Sequence, residues 1–335
     1  MQSFRTEIEN PIVEKDLLEL ERKIHEFKEG KIHEEKFRSL RLARGVYGQR
    51  QQGVQMIRIK IPFGKLMAKQ LLRIADVRDE YSTGKLHLTT RQDIQIHHVS
   101  LERTPQLWAE LEKDDVTLRE ACGNTVRNVT ASAEAGVDPQ EPFDVSPYAY
   151  AVFSYFLRKP FGQELGRKIK IAFSNSDADT AFTFIHDVGF IPKIQAENGV
   201  EQRGFKVLVA GGLGAQPFLA QTAFEFLHED RIIPFIEAAV RVFDRYGERT
   251  NRHKARLKYL VAKIGLAEFL KLTEQEEAAV LNKAFIINRN AIKPAALSKE
   301  TVFTTFKPAD EKAYSDWKAT NTFQQKQEAS FHRII

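Results

Sequence analysis

The chain of 335 residues is 42% hydrophobic and 10% aromatic, enough to bury one large core or two ordinary ones, so it is expected to fold. Charged residues make up 28%, and no stretch approaches the roughly 20 unbroken apolar residues of a membrane helix, which argues against a membrane partner. A net charge of +5 and a pI near 9.1 leave a polyanionic partner open, although so modest an excess over a large surface is commonly a solubility feature.

The first residues are charged and lack the apolar core and cleavage site of a secretory signal, so a cytoplasmic location is expected. The single cysteine, Cys122, excludes an internal disulfide framework and any cluster or zinc site made from several thiolates of this chain. The nine histidines show no metal-ligand spacing.

Residues 1–44 read as an N-terminal helical extension, very polar, with Leu17, Leu18, Leu20 and Ile24 forming a narrow apolar stripe from Pro11 onward. Gly45, Gly48 and Gly53 interrupt it. From Gln55 to Ile61 the pattern alternates, with Ile57, Ile59 and Ile61 on one face and Arg58 and Lys60 on the other. A helix over Leu66 to Glu80, two alternating stretches between Lys85 and His98, and a helix over Thr104 to Lys113 follow. In the alternating stretches Leu86, Leu88, Ile94 and Ile96 are expected to face a core. Strand, helix, strands, helix is half of a ferredoxin-like unit, placed at 45–117.

A larger mixed unit is expected over 118–296, with strands at Lys168 to Phe173 and Phe205 to Val209. Helices are predicted at Ile233 to Tyr246, Asn251 to Ile264 and Leu266 to Leu281. The fold class is α+β. Residues 297–317, part of a Pro- and Ser-containing stretch from Lys293 to Trp317, read as a linker. Tyr47-Gly48-Gln49-Arg50-Gln51-Gln52-Gly53 aligns at one offset with Phe323-Gln324-Gln325-Lys326-Gln327-Glu328-Ala329, a weak internal repeat. Residues 318–335 are accordingly expected to be the start of a second ferredoxin-like copy, truncated at Ile335; coincidence in a Gln-rich tail is the other reading.

Four basic residues sit on the polar side of alternating or turn segments: Arg58, Arg127, Lys168 and Lys170. Strand geometry places the two lysines on one face roughly 7 Å apart. Enclosed, such a pair calls for a small oxyanion; on an exposed edge, the same lysines would only guard against strand pairing. The stretch Cys122 to Thr130 surrounds Arg127 with small and amide-bearing residues, including Asn128, and suits either an anionic edge or an ordinary turn. Thr89-Thr90-Arg91 has the same character. The Gly211-Gly212 turn permits close backbone approach but lacks dinucleotide or P-loop spacing. Arg249, Arg252 and Arg256 would share one helix face.

Taken together these pieces resemble sirohaem-dependent sulfite and nitrite reductases. The blocks are GVYGQRQQGVQMIRIKIP (45–62), TGKLHLTTRQDIQIHHV (83–99), CGNTVRNVTAS (122–132), GRKIKIAF (166–173), GFKVLVAGGLG (204–214) and YGERTNRHKARLKYL (246–260), in family order. The resemblance implies a fold of two tandem ferredoxin-like halves plus larger reductase domains. It further implies sirohaem, a carboxylate-rich macrocycle, whose iron is bridged through a cysteine sulfur to a [4Fe-4S] cluster, and a six-electron reduction of sulfite or nitrite. By the same resemblance Arg58, Arg127, Lys168 and Lys170 match the basic residues that hold the oxyanion and help deliver protons. Thr89, Thr90, Arg91, Asn128, Gly211, Gly212, Arg249 and Arg252 match positions that contact the macrocycle or support them.

The departure is the missing set of cluster cysteines, which the family carries in its second half. The chain is therefore expected to be the N-terminal half of such an enzyme, inactive alone and holding neither sirohaem nor cluster stably. Its expected partners are sulfite or nitrite, the missing C-terminal half, and ferredoxin or a flavoprotein as electron donor. A nucleic-acid binder or a degenerate partner-binding half are the alternatives, but neither explains why the basic residues fall at strand positions.

Overall fold

The computed structural model describes residues 10–197, 199–292, 307–326 and 332–334. Helix α1 (Pro11–Lys28) starts where Asn10 accepts from the Ile12 amide at 3.0 Å and Pro11 takes a first-turn position that needs no amide hydrogen. Val13, Leu17, Leu20 and Ile24 recur at three- and four-residue spacing and are all buried, each contributing about 1.5–3 kcal/mol. With Phe37 of α2 (Glu34–Ala43) they share one core with the strands that follow. The helical extension thus packs over the first unit as part of its core.

That unit's sheet holds β1 (Val46–Gly48), β2 (Val54–Ile59), β3 (Leu86–Leu88) and β4 (Ile94–Ser100) in the antiparallel order β1-β2-β4-β3. Ile57, Ile59 and Ile96 point into the core, where α3 (Ala68–Tyr81) and α4 (Thr104–Glu112) supply Ile74, Val77, Leu107, Trp108 and Leu111. Leu88 departs from expectation at 75% exposure. It ends a three-residue edge strand and leads into the tight Thr89–Asp93 turn, so the strand period no longer governs it.

The second unit is built on a five-stranded mixed sheet, β5 (Thr130–Ala131), β6 (Ile171–Phe173), β7 (Val188–Glu197), β8 (Val200–Val209) and β9 (Gln221–His228), in chain order. The first three strands run parallel and the last two pair antiparallel. Phe173 stacks on Phe190 at 4.7 Å, and Phe205 meets both edge-on. Against this core lie α5 (Ser146–Phe156), α6 (Ile232–Tyr246), α7 (Leu257–Ile264) and α8 (Leu266–Ala279).

The helix expected from Asn251 is shorter than the sequence suggested. Gly247 ends α6, and the Glu248 carboxylate accepts from the Thr250 and Asn251 amides at 2.6 and 3.0 Å. These bonds commit 248–256 to a loop with one 3-10 turn at Arg252–Lys254. Arg249, Arg252 and Arg256 therefore share no helix face.

The expected linker lies partly outside the described residues, as do Gln327, Glu328, Ala329 and Ile335 of the repeat. Its remaining part is no simple connector, because Asp310 caps a helix, α9 (Glu311–Asn321), by accepting from the Ala313 amide at 2.9 Å. Helix α9 runs into β10 (Thr322–Gln324), which pairs antiparallel with β11 (His332–Ile334). Helix, strand, strand is also the order of α2, β1 and β2. The Lys326 amide donates to Val137 O at 3.1 Å and its ammonium pairs with the buried Glu141, fastening this hairpin to the second unit. Among the described residues no helix is long and apolar enough to cross a membrane.

Candidate anion-binding site

The two units meet around a cavity of about 330 Å³. Arg58 reaches it from the solvent-side period of β2. Its amide donates to Gly45 O at 2.9 Å, and Gly45 takes φ +72°, where a side-chain Cβ would come within 2.7 Å of Arg58 O. Arg127 comes from the segment before β5, where its amide donates to Ile169 O at 2.9 Å and its guanidinium to Gly123 O at 3.2 Å. Lys168 and Lys170 flank Ile169 on the approach to β6. This approach is internal to the sheet, with a bridge from Ile169 to Val126 on one side and the Lys170 amide bound to Asp187 Oδ2 at 2.8 Å on the other. The protective-edge reading of the lysines fails for that reason.

All four basic residues line the cavity, with His87, Leu88, Thr89, Thr90, Arg91 and Gln95. Among the described residues none of the four makes an ion pair. Gln95, with its amide turned to satisfy both neighbours, accepts from Arg58 Nε and Nη2 at 3.0 and 2.6 Å and donates to His87 Nδ1 at 3.3 Å. Burial, with Arg127 and Lys170 adding to it, pushes the Lys168 ammonium down to about 7. Burial, then Arg91 and Arg256, push Lys170 down to about 8. Burial also lowers Arg127.

Arg91 donates through Nη2 to Asn128 O and, at 3.2 Å, to Ile171 O. Its Nε and Nη1 are buried without a partner among the described residues, and burial drives it down to about 10. Asn128 is fully buried and braces this turn, donating to Ile61 O at 2.6 Å and Arg91 O at 3.0 Å. Thr89 Oγ1 accepts from the Arg91 and Asp93 amides at 3.3 and 3.1 Å, while Thr90 is exposed at the rim.

Four expected site residues lie elsewhere. Gly211 and Gly212 are packed against protein: a Cβ on the first would come within 2.5 Å of Phe184 O, and on the second within 3.1 Å of Arg256 Nη2. Arg249 bonds to the Glu164 and Asp244 carbonyls, and Arg252 is exposed on its 3-10 turn. The alternation of the second stretch sets Gln95 off the core face without giving it a site role, and the sequence reading missed His87, whose position on the polar side of β3 was the available signal. It also missed Asp187, fully buried and gripped by Arg256 through three hydrogen bonds of 2.8 to 3.1 Å, because a pairing across 69 residues leaves no local pattern.

Residues 47–114 match the family profile described as the nitrite/sulfite reductase ferredoxin-like half domain, and residues 122–280 match that of the nitrite and sulphite reductase 4Fe-4S domain. The chain belongs to the nitrite and sulfite reductase family. It is 31% identical over 250 residues to sulfite reductase [ferredoxin] 1 of Mycolicibacterium paratuberculosis, a match covering 69% of this chain and 44% of that protein. It is 32% identical over 246 residues to the assimilatory ferredoxin-dependent nitrite reductase of Haloferax mediterranei, covering 69% and 42%. The chain thus spans less than half the length of these relatives. The solved NirA protein of Mycobacterium tuberculosis superposes with a TM-score of 0.73 at 26% identity, over 94% of this chain and 57% of that one. Dissimilatory sulfite reductase I, at 12% identity and a TM-score of 0.56, shares the fold over 93% of this chain and 92% of its own. For this member of the nitrite and sulfite reductase family, the 4Fe-4S name of the matched domain stands beside a single cysteine, buried Cys122, whose thiol burial pushes up.

Proposed function

We propose that this chain is the substrate-binding side of a sirohaem-dependent sulfite or nitrite reductase, in which Arg58, Arg127, Lys168 and Lys170 hold the oxyanion. The observation that carries the reading is that these four cations, with Arg91 beside them, surround one small cavity and have no carboxylate partner among the described residues. Partly buried cations without counter-charge are unfavourable, so such a cluster makes sense only with an anion. The lysines add a second capability. With Lys168 near 7 and Lys170 near 8, each ammonium can give a proton to an oxygen of the bound anion and be reloaded close to neutral pH.

Sirohaem fits the donor set in part. The two unmet N–H groups of Arg91 and the exposed Thr90 are the residues that would meet its carboxylates, and when bound it supplies the iron at which electrons reach the anion. Asn128 and Thr89 would act through Arg91, which they orient. A four-iron cluster does not fit, since one thiol cannot supply its ligands, and no step is assigned to it here. The reading therefore includes a complementary half carrying the cluster, and an electron donor, either ferredoxin, which the names of two relatives carry, or a flavoprotein. It also takes 45–117 and 118–296 as the half domain and first reductase domain, and 318–335 as the start of a second copy; the helix, strand, strand order at 311–334 supports this.

Calorimetric titration of the chain with sulfite and with nitrite tests the site. Saturable one-to-one binding of at least one of them is expected, and binding of neither would overturn the proposal. Adding sirohaem to the chain alone should give no stoichiometric Soret band with turnover. Such a band with reductase activity would sink the requirement for a complementary half.

A further inference from the structure

A second cavity of about 540 Å³ lies behind the anion pocket, and a buried acid stands on its wall. Asp93 closes the turn that begins at Thr89: its amide donates to Thr89 Oγ1 at 3.1 Å, and its carbonyl accepts from the Thr89 amide at 2.9 Å. The turn holds Asp93 at 2% exposure. Leu88 and Thr89 line both cavities, so this one turn forms the wall they share.

The charges that act most strongly on Asp93 are cationic: Arg91 from its own turn, Arg58 and Lys60 from β2 and its end, and Arg127 from the segment before β5; Lys65 and Asp144 share the wall of the larger cavity with it, and the buried Cys122 thiol feels its charge. None of those four cations makes an ion pair with it among the described residues, and Oδ1 has no hydrogen-bond partner there. A permanently ionised carboxylate in such company would draw one cation into contact, because a desolvated charge without a partner is strongly unfavourable. An unpartnered oxygen suits a carboxyl that carries a proton for part of the time. Burial pushes Asp93 up to about 6 against the pull of all four cations.

We propose that Asp93 is a proton carrier for the anion pocket, charged from the solvent side through the larger cavity and discharged across the Thr89 wall. The exchange is simple in its balance. The O–H bond of the Asp93 carboxyl breaks as its proton passes to a relaying water, that water gives up one of its own protons as an O–H bond forms on an anion oxygen destined to leave as water, and the carboxylate regains a proton from water entering the larger cavity. No electrons move in this exchange. The inference rests on the proposed anion site.

The experiment uses inorganic sulfate, which the site should bind without reducing, and measures protons taken up per anion bound by calorimetry in buffers of different ionisation heat. Filling the pocket with negative charge should raise both the lysines and Asp93. Wild type should therefore take up protons between about pH 7 and 8 from the lysines, and separately near pH 6 from Asp93. Asp93→Asn should lose the uptake near pH 6 and keep that of the lysines. Equal uptake near pH 6 by wild type and variant would make Asp93 a fixed counter-ion and end the proposal. If wild type binds none of sulfate, sulfite and nitrite the anion-site reading ends instead; if it binds only sulfite or nitrite, the same proton uptake is measured with that anion. If Asp93→Asn fails to fold, NMR titration of carboxyl-labelled aspartate in wild type decides. A resonance titrating near pH 6 that moves up with sulfate supports the carrier, and aspartates that all titrate in the ordinary carboxylate range overturn it.

Discussion

Lys60 and Lys168 are both desolvated ammonium groups in this fold, yet they live under opposite rules. Lys60 is fully enclosed and lies 3.3 Å from Glu120, whose other oxygen accepts from the Arg158 amide at 2.8 Å. Arg256 is likewise committed to Asp187. Among the described residues Lys168 and Lys170 have no carboxylate partner, and the Arg127 guanidinium has only a backbone carbonyl. Charges in the first group hold segments together. Charges in the second are held apart by the fold, and their missing partner is the mark of a site.

The sharpest way to break this contrast is to remove one partner from each group. Glu120→Ala leaves Lys60 enclosed and unpaired and frees the Arg158 amide, so it should cost about 3–5 kcal/mol of stability in urea unfolding. Lys168→Met removes a charge that has no partner to lose and should leave stability unchanged or raised. Comparable losses in both variants would erase the distinction.

Binding should show the reverse order. Arg127→Gln removes a charge-assisted donor worth roughly 1.5–3 kcal/mol, so sulfite affinity measured by calorimetry should fall about 10- to 100-fold. Glu120→Ala, where it folds, should bind far closer to wild type. An Arg127→Gln chain with wild-type affinity would mean that the cluster does not hold the anion.

Much of this arrangement was legible because strand period is local. The alternation around Ile57 and Ile59 set Arg58 apart, and Lys168-Ile169-Lys170 gave two lysines on one face; only the pairing of Ile169 with Val126 and of the Lys170 amide with Asp187 shows that this face is enclosed. The basic run from Arg249 to Lys258 misled for the same reason. Its three- and four-residue spacing fits a helix, but Gly247 and the Glu248 carboxylate fix a loop whose geometry no periodicity encodes. Strands β7 and β9 escaped notice, as did the charge pairs Asp187–Arg256 and Lys60–Glu120, which join residues 60 or more positions apart.

The two lysines also allow the contrast to be sharpened by pH, because stability and binding should move in opposite directions. Their folded values lie below the ordinary lysine value of 10.5, so at pH above about 7 to 8 the unfolded chain binds more protons than the folded one. Stability should therefore rise as pH increases from about 7 toward 10, by about 1–2 kcal/mol once solvent screening of these half-buried groups is discounted. Anion affinity should fall over the same range, since the lysines lose the charge the anion needs. Lys168→Met combined with Lys170→Met should flatten both trends, and a wild-type chain whose sulfate affinity is constant from pH 6.5 to 9 would show that the lysines do not titrate at the site.

The smallest effect is expected where sequence spacing was most persuasive. Arg252 is exposed on its 3-10 turn and lies outside the cavity, although Arg167 and Arg252 feel each other's charge. An exposed charge that does not line the cavity acts on a ligand there through solvent, where salt weakens it. Arg252→Ala should therefore leave sulfite affinity unchanged at moderate salt, with a slight weakening at low salt through long-range attraction alone. Raising the ionic strength separates the two possibilities: a deficit that vanishes with salt belongs to the general field of a basic surface, whereas one that persists would place Arg252 in contact with the anion and move the site's boundary beyond the four residues that now define it.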